Sequence, residues 1–217
     1  MPFTHTPHLP LLLWTLFTLP LTIWDTAYIL LRPHSFPGGK WHAPFFLSME
    51  PWASTDHLYG PEAWGASEGF TAAQAVVNVL EVGMYTGYVW GVWRGGGLGG
   101  GARWRIGKRR IQGKMAAGAV VLGFAAGVVT ATKTGLYCRF FFSLRAWCCF
   151  CFLLLMRVVM REVFSGYVYT GHNELHPLLT LWGFMNALYF LASGYMIGAF
   201  GTEIYRGLLA GEGDKED

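Results

Sequence analysis

The chain has 217 residues, 53% of them hydrophobic and 17% aromatic, with only 13% charged and a mean hydropathy of +0.34. Soluble domains carry about 25% charged residues, so this composition excludes an ordinary soluble globule and points to a bilayer. The net charge of +3 is small and concentrated in one stretch, which argues against a nucleic-acid surface.

The hydrocarbon core of a membrane, about 30 Å thick, takes about 20 mostly apolar helical residues to cross. The first run of that kind is 10–32, and between Leu9 and Leu31 its only formal charge is Asp25. It lacks a basic leading region and a small-residue cleavage site, so it reads as a span and not as a cleaved signal peptide. Residues 33–69, rich in proline, glycine and tryptophan, are expected to form a structured interfacial loop with a short re-entrant or in-plane helix at 44–59. Asp56 and His57 lie there in "STDHLYG", suited either to capping the loop or to lining a pocket mouth.

A second span is predicted over 70–93. The connector 94–114 follows, glycine-rich and carrying seven Lys/Arg, and the positive-inside tendency makes it cytosolic. By alternation the N-terminus is cytosolic and the end of the third span, 115–138, is lumenal. "GGGLGGG" within the connector lacks the strand-to-helix setting of a phosphate cradle. The four cysteines, Cys138, Cys148, Cys149 and Cys151, have neither the spread of a disulfide framework nor the pair spacing of a zinc site, and read as small buried hydrophobes.

Stretch 139–160 is apolar but is broken by Arg139, Arg145 and Arg157. If it crosses, the C-terminus is lumenal; if it folds back, the C-terminus is cytosolic. The last predicted span is 177–205, and 206–217 is expected to be a disordered tail. The fold class is therefore all-α, a polytopic membrane helix bundle over 1–205.

Helical phase groups the polar residues, because positions i, i+4, i+7 and i+11 share one face. Gln74, Asn78, Glu81, Tyr85 and Tyr88 follow this spacing, as do Trp182, Asn186, Tyr189 and Ser193. Thr18, Thr22 and Asp25 share a face, and so do Thr130, Thr134 and Tyr137, with Lys133 adjacent. Each span thus carries one polar or aromatic stripe, which is expected to turn inward, since lipid leaves such groups unsatisfied. For Asn78, Thr18 and Thr22 the plain reading is hydrogen bonding between helices, for about 0.5–2 kcal/mol each. The acids differ: a charge at mid-bilayer costs roughly 2.5–3.5 kcal/mol on insertion scales, which favours a pocket role for Glu81 and Asp25. Lys133 reads either as snorkelling or as pairing with an acid.

"LWGFMNALYFLASGYMIGAFGTEI" (181–204) resembles the last helix of the emopamil-binding protein, a sterol isomerase, around its Met-Asn-Ala-Leu-aromatic core. "IWDTAYIL", "STDHLYG" and "VLEVGMY" resemble the same family's first acidic helix, its Asp-x-x-Tyr loop and its second acidic helix. "RPHSFPGGKWHAP", "GFTAAQ" and "HNELHPLLTLW" look like fungal members. The chain thus resembles the EXPERA-domain family, which also includes the sigma-2 receptor protein, over most of 10–205.

That resemblance implies four core transmembrane helices in the endoplasmic reticulum and a site for a sterol or terpenoid-like molecule. It implies catalytic roles for Asp25, Glu81 and Asn186, and substrate contacts from Trp24, Asp56, Asn78, Tyr85, Trp182 and Tyr189. In such a pair one carboxyl protonates a ring double bond and the other takes a proton from a neighbouring carbon, while aromatic faces stabilise the cation. No metal or other cofactor is expected; the bilayer is a partner, nucleic acid is not, and a homodimer is compatible. The chain departs from the isomerase in having Leu21 where a histidine precedes the first acid, and in having Asp25 where that acid is a glutamate. The resemblance also implies that "KTGLYC" runs into "REVFSGYVYTGHNE", which makes 139–160 an insertion of the kind a retained intron leaves.

Three functions follow: an intramembrane isomerase, a non-catalytic sterol- or lipid-binding protein, and a pathway-specific cyclase or epoxide-opening hydrolase using the same acids.

Overall fold

A computed structural model describes residues 2–96, 110–137 and 170–213. The predicted insertion 139–160 and most of the basic connector lie outside the described residues. In chain order the elements are β1 (Thr4–His5), α1 (Leu9–Leu30), α2 (Glu50–Thr55), α3 (Pro61–Gly65), α4 (Phe70–Arg94), β2 (Ile111–Gln112), α5 (Gly113–Tyr137) and α6 (Phe184–Gly213). Short 3-10 turns occupy Leu47–Met49 and His57–Tyr59, and a helical turn at Leu175–Pro177 leads through a π-helical stretch, Leu178–Gly183, into α6.

Among the described residues three helical segments, Leu9–Leu30, Gly113–Thr134 and Leu178–Gly211, are long and apolar enough to cross a membrane. The side chains are distributed inside out relative to a soluble protein. Thr15, Thr18, Glu81, Thr130 and Ser193 are fully buried, while Leu13, Phe17, Leu80, Leu191 and Leu208 are exposed. An exterior of leucine, valine and aromatic side chains around buried hydroxyls and a carboxyl suits lipid as solvent. The chain is a mostly helical membrane protein. Helix α4 is as long as α5, but buried Gln74, Asn78, Glu81, Tyr85 and Tyr88 lower its apolar content.

Beside its helices the chain forms a small antiparallel pair, in which Thr4 lies opposite Gln112 and His5 opposite Ile111. One expectation is corrected. The predicted disordered tail is helical as far as Gly213, because 206–210 contains good helix formers and the backbone at Gly207 closes against the Phe3 ring. A Cβ on Gly207 would come within 2.5 Å of that ring.

The chain divides into two compact units, to both of which the long helices contribute. The first comprises Met1–Ile23, Val79–Val129 and Ala192–Asp217. Its core gathers Leu11, Leu12, Tyr85, Tyr88, Val92, Val120, Met196 and Phe200. α5 gives this core small residues, Ala116, Ala119, Gly123, Ala126 and Gly127, and small residues let membrane helices approach closely. A Cβ on Gly123 would lie 2.7 Å from the Phe200 ring, and one on Gly127 3.1 Å from Met196 Cβ. Gly123→Leu is therefore expected to lower the melting temperature in detergent by several degrees, at about 1–3 kcal/mol of overpacking. An unchanged melting curve would contradict the close approach.

The second unit comprises Trp24–Asn78 and Thr130–Leu191. The 33–69 loop is ordered and helical in part, its helices running from Leu47 to Gly65, further along than the expected 44–59. Tyr28, Phe36, Phe46, Met49, Leu58 and Tyr59 form its core. Arg32, 6% exposed, fastens it: Nε donates to Ile29 O, Nη1 to Leu58 O and Nη2 to Thr71 Oγ1 at 2.7 Å. Its guanidinium also lies 5.4 Å from the centre of the Trp64 ring. A buried guanidinium with this many acceptors is tolerated because its donors are matched one by one.

Candidate functional site

The second unit brings three of the predicted polar residues together. Asn78 is 2% exposed on α4 and donates through Nδ2 to Asp25 Oδ2 of α1 at 2.9 Å. Lys133 of α5 donates through Nζ to Asn78 Oδ1 at 2.7 Å. Helical phase puts each residue on the polar face of its own helix, and the amide in the middle has one acceptor end and one donor end to join an ammonium to a carboxylate. Asp25 and Lys133 are each half-buried.

A second cluster in the same unit contains Asp56, Trp182 and Asn186. Asp56 has extended backbone geometry and caps the turn His57–Tyr59, its Oδ1 accepting from Leu58 N at 3.1 Å. Its Oδ2 accepts from Trp182 Nε1 at 3.3 Å, so the capping role and the link to the last helix coexist. Trp182 lies in the π-helical stretch, and Asn186 Nδ2 donates back to the Trp182 carbonyl at 2.7 Å. Single π-turns inside α-helices are rare and occur frequently at functional sites. Nearby, the His57 ring stacks on His172 at 3.7 Å, and Asn173 Nδ2 donates to Thr55 O at 2.7 Å. These contacts hold residues 172 and 173 against the loop. Trp182→Phe keeps an aromatic ring, though a smaller one, and removes the N–H that Asp56 Oδ2 accepts. The expected loss is about 1–3 kcal/mol of stability, measured as a lower melting temperature; an unaltered one would remove this bond from the account.

Trp24, expected to contact substrate, also has a structural use. Its indole N–H donates to Phe45 O at 2.9 Å and its ring stacks on Phe46, so it braces the loop. Tyr189 is half-buried on α6.

The first unit holds Glu81 and Tyr85, both with 0% exposure. Tyr85 donates its hydroxyl to Met196 Sδ at 3.7 Å. This unit also contains a polar group with no warning in the sequence. His5, fully buried in β1, meets Glu203 Oε2 through Nδ1 at 2.5 Å and the Tyr88 hydroxyl through Nε2 at 3.5 Å. His8 Nε2 lies 3.6 Å from Glu203 Oε1. Its members lie far apart along the chain, and neither periodicity nor spacing connects them; only the β1–β2 pair delivers His5 to this position.

Chemically, the Asp25–Asn78–Lys133 chain offers a fixed carboxylate on a membrane helix, and Glu81 offers a second, fully enclosed carboxyl on α4. No protein-family model, no characterised protein and no solved structure matches this chain.

Proposed function

We propose that this chain is an EXPERA-type protein of the endoplasmic reticulum membrane, with α1, α4, α5 and α6 as its four spans. In this reading it moves a double bond in a sterol or terpenoid-like lipid by proton transfer to and from intramembrane carboxyls, for which Asp25 and Glu81 are the candidates. The observation that supports it most is the retention of ionisable groups on membrane-length helices: Glu81 fully enclosed, and Asp25 joined through Asn78 to Lys133. Such groups are costly in a bilayer and mark function where they occur. One carboxyl donates a proton to a double-bond carbon, and the other removes one from the neighbouring carbon. The faces of Trp182 and Tyr189 are suited to the intervening carbocation, and Asn186, bonded to the Trp182 carbonyl, holds that part of α6 in place.

A second reading, a protein that binds such a lipid without turnover, is favoured by Leu21 and by the shorter acid Asp25, where the isomerase has a histidine and a glutamate. Expression in a yeast lacking its sterol isomerase separates the two. Growth and the isomerised sterol are expected to return. Failure of both, with sterol still retained by the purified protein, would favour the binding reading.

A further inference from the structure

The order of donors and acceptors along Lys133, Asn78 and Asp25 suits a positive charge at one end and a negative charge at the other. A lysine ammonium has donors and no acceptor, an ionised carboxylate has acceptors only, and an amide has one end of each kind. Lys133 Nζ meets Asn78 Oδ1 at 2.7 Å, which turns Nδ2 towards Asp25 Oδ2 at 2.9 Å. Rotating the amide by half a turn would set N–H against ammonium and oxygen against carboxylate, so both ends reject that orientation. Asn78 is 2% exposed, and water has little access to replace either bond. Both bonds are charge-assisted, and successive bonds in a chain polarise one another. A neutral Asp25 would surrender the benefit at one end, and a neutral residue at 133 would weaken it at the other.

We propose that Lys133 is a positioning residue that acts through Asn78 to keep Asp25 in its carboxylate form. Asp25 is then the proton acceptor, an assignment that rests on the function proposed above. In the forward step the O–H bond of a carboxylic acid breaks and a C–H bond forms at one carbon of the double bond. A C–H bond on the carbon flanking the resulting cation then breaks. Its electron pair becomes the new double bond and its proton goes to Asp25. One proton enters the lipid and one leaves, and exchange with water restores the acid and Asp25 to their starting forms.

The test is infrared spectroscopy of the full-length protein in lipid nanodiscs at neutral pH, with Asp25→Asn subtracted to isolate the Asp25 bands. Carboxylate bands are expected in the wild type and in Lys133→Arg, and the C=O band of a protonated carboxyl in Lys133→Met. If Lys133→Met does not fold, Lys133→Gln, which still offers Asn78 Oδ1 a neutral N–H, makes the same comparison. A protonated Asp25 in the wild type, or an ionised one in the neutral variant, overturns the proposal. Turnover in the neutral variant is expected to fall about 10²-fold, the lower end of what a positioned proton acceptor contributes, and to recover in Lys133→Arg. Wild-type turnover from a protein whose Asp25 is protonated overturns the acceptor role. The spectra do not depend on turnover, so a Lys133-dependent Asp25 charge in a protein that isomerises nothing would defeat the proposed function and leave the Lys133 assignment standing.

Discussion

Glu81→Gln is expected to abolish rescue of an isomerase-deficient yeast and to reduce turnover by at least about 10²-fold, the usual contribution of one positioned proton-transfer group. Glutamine keeps the length and most of the volume of the side chain, so the enclosed position on α4 remains filled. It can neither give nor take a proton, and the loss therefore belongs to the chemistry. The control is the amount of folded protein: the level of the variant in the membrane is expected to match that of the wild type. Rescue surviving in both Glu81→Gln and Asp25→Asn would remove the two-carboxyl mechanism altogether.

The second large effect concerns stability. Asn78→Leu keeps the branching of the side chain but neither donates nor accepts, and it breaks the bonds to Asp25 and Lys133 together. A bond to a charged group contributes roughly 1.5–3 kcal/mol. Two are lost, and because Asp25 and Lys133 are only half-buried, solvent and other neighbours recover part of that sum. The net expectation is about 2–3 kcal/mol, read as a fall of several degrees in the melting temperature of the nanodisc-embedded protein. Melting at the wild-type temperature would mean that the two charges do not depend on the amide between them.

The long helices and their buried faces were legible because the membrane imposes a simple physical rule. A run of about 20 apolar residues has to be helical to satisfy its own backbone, and a polar stripe on it has to turn from lipid. Gln74, Asn78, Glu81, Tyr85 and Tyr88 follow that phase and are all buried. The same rule marked Asp25 and Asn78, and the capping chemistry of "STDHLYG" marked Asp56. It did not specify which neighbours the side chains take. Trp24 was expected to present its ring to a ligand, and the bond its indole N–H makes to the loop carbonyl of Phe45 had no signal in the sequence. Lys133 was open between snorkelling and pairing, and it donates to an amide that itself bonds the acid Asp25. The His5–Glu203–Tyr88 group was illegible for a different reason: it depends on a two-residue strand pair between the N-terminus and a distant segment. So short a ladder leaves no periodic signal. The helical 206–213 segment was expected to be disordered as a chain end, but its arginine, leucines and alanine favour helix and Gly207 packs on Phe3.

The most direct test of the central claim is isotopic. Purified full-length protein in nanodiscs is incubated in deuterium oxide with a sterol carrying a ring double bond, and the recovered sterol is analysed by mass spectrometry and proton NMR. Proton transfer through Glu81 and Asp25 predicts one deuterium in each isomerised molecule, on a carbon of the original double bond, and none with Glu81→Gln. A sterol that is bound but recovered unisomerised and without deuterium from the wild-type protein would contradict it.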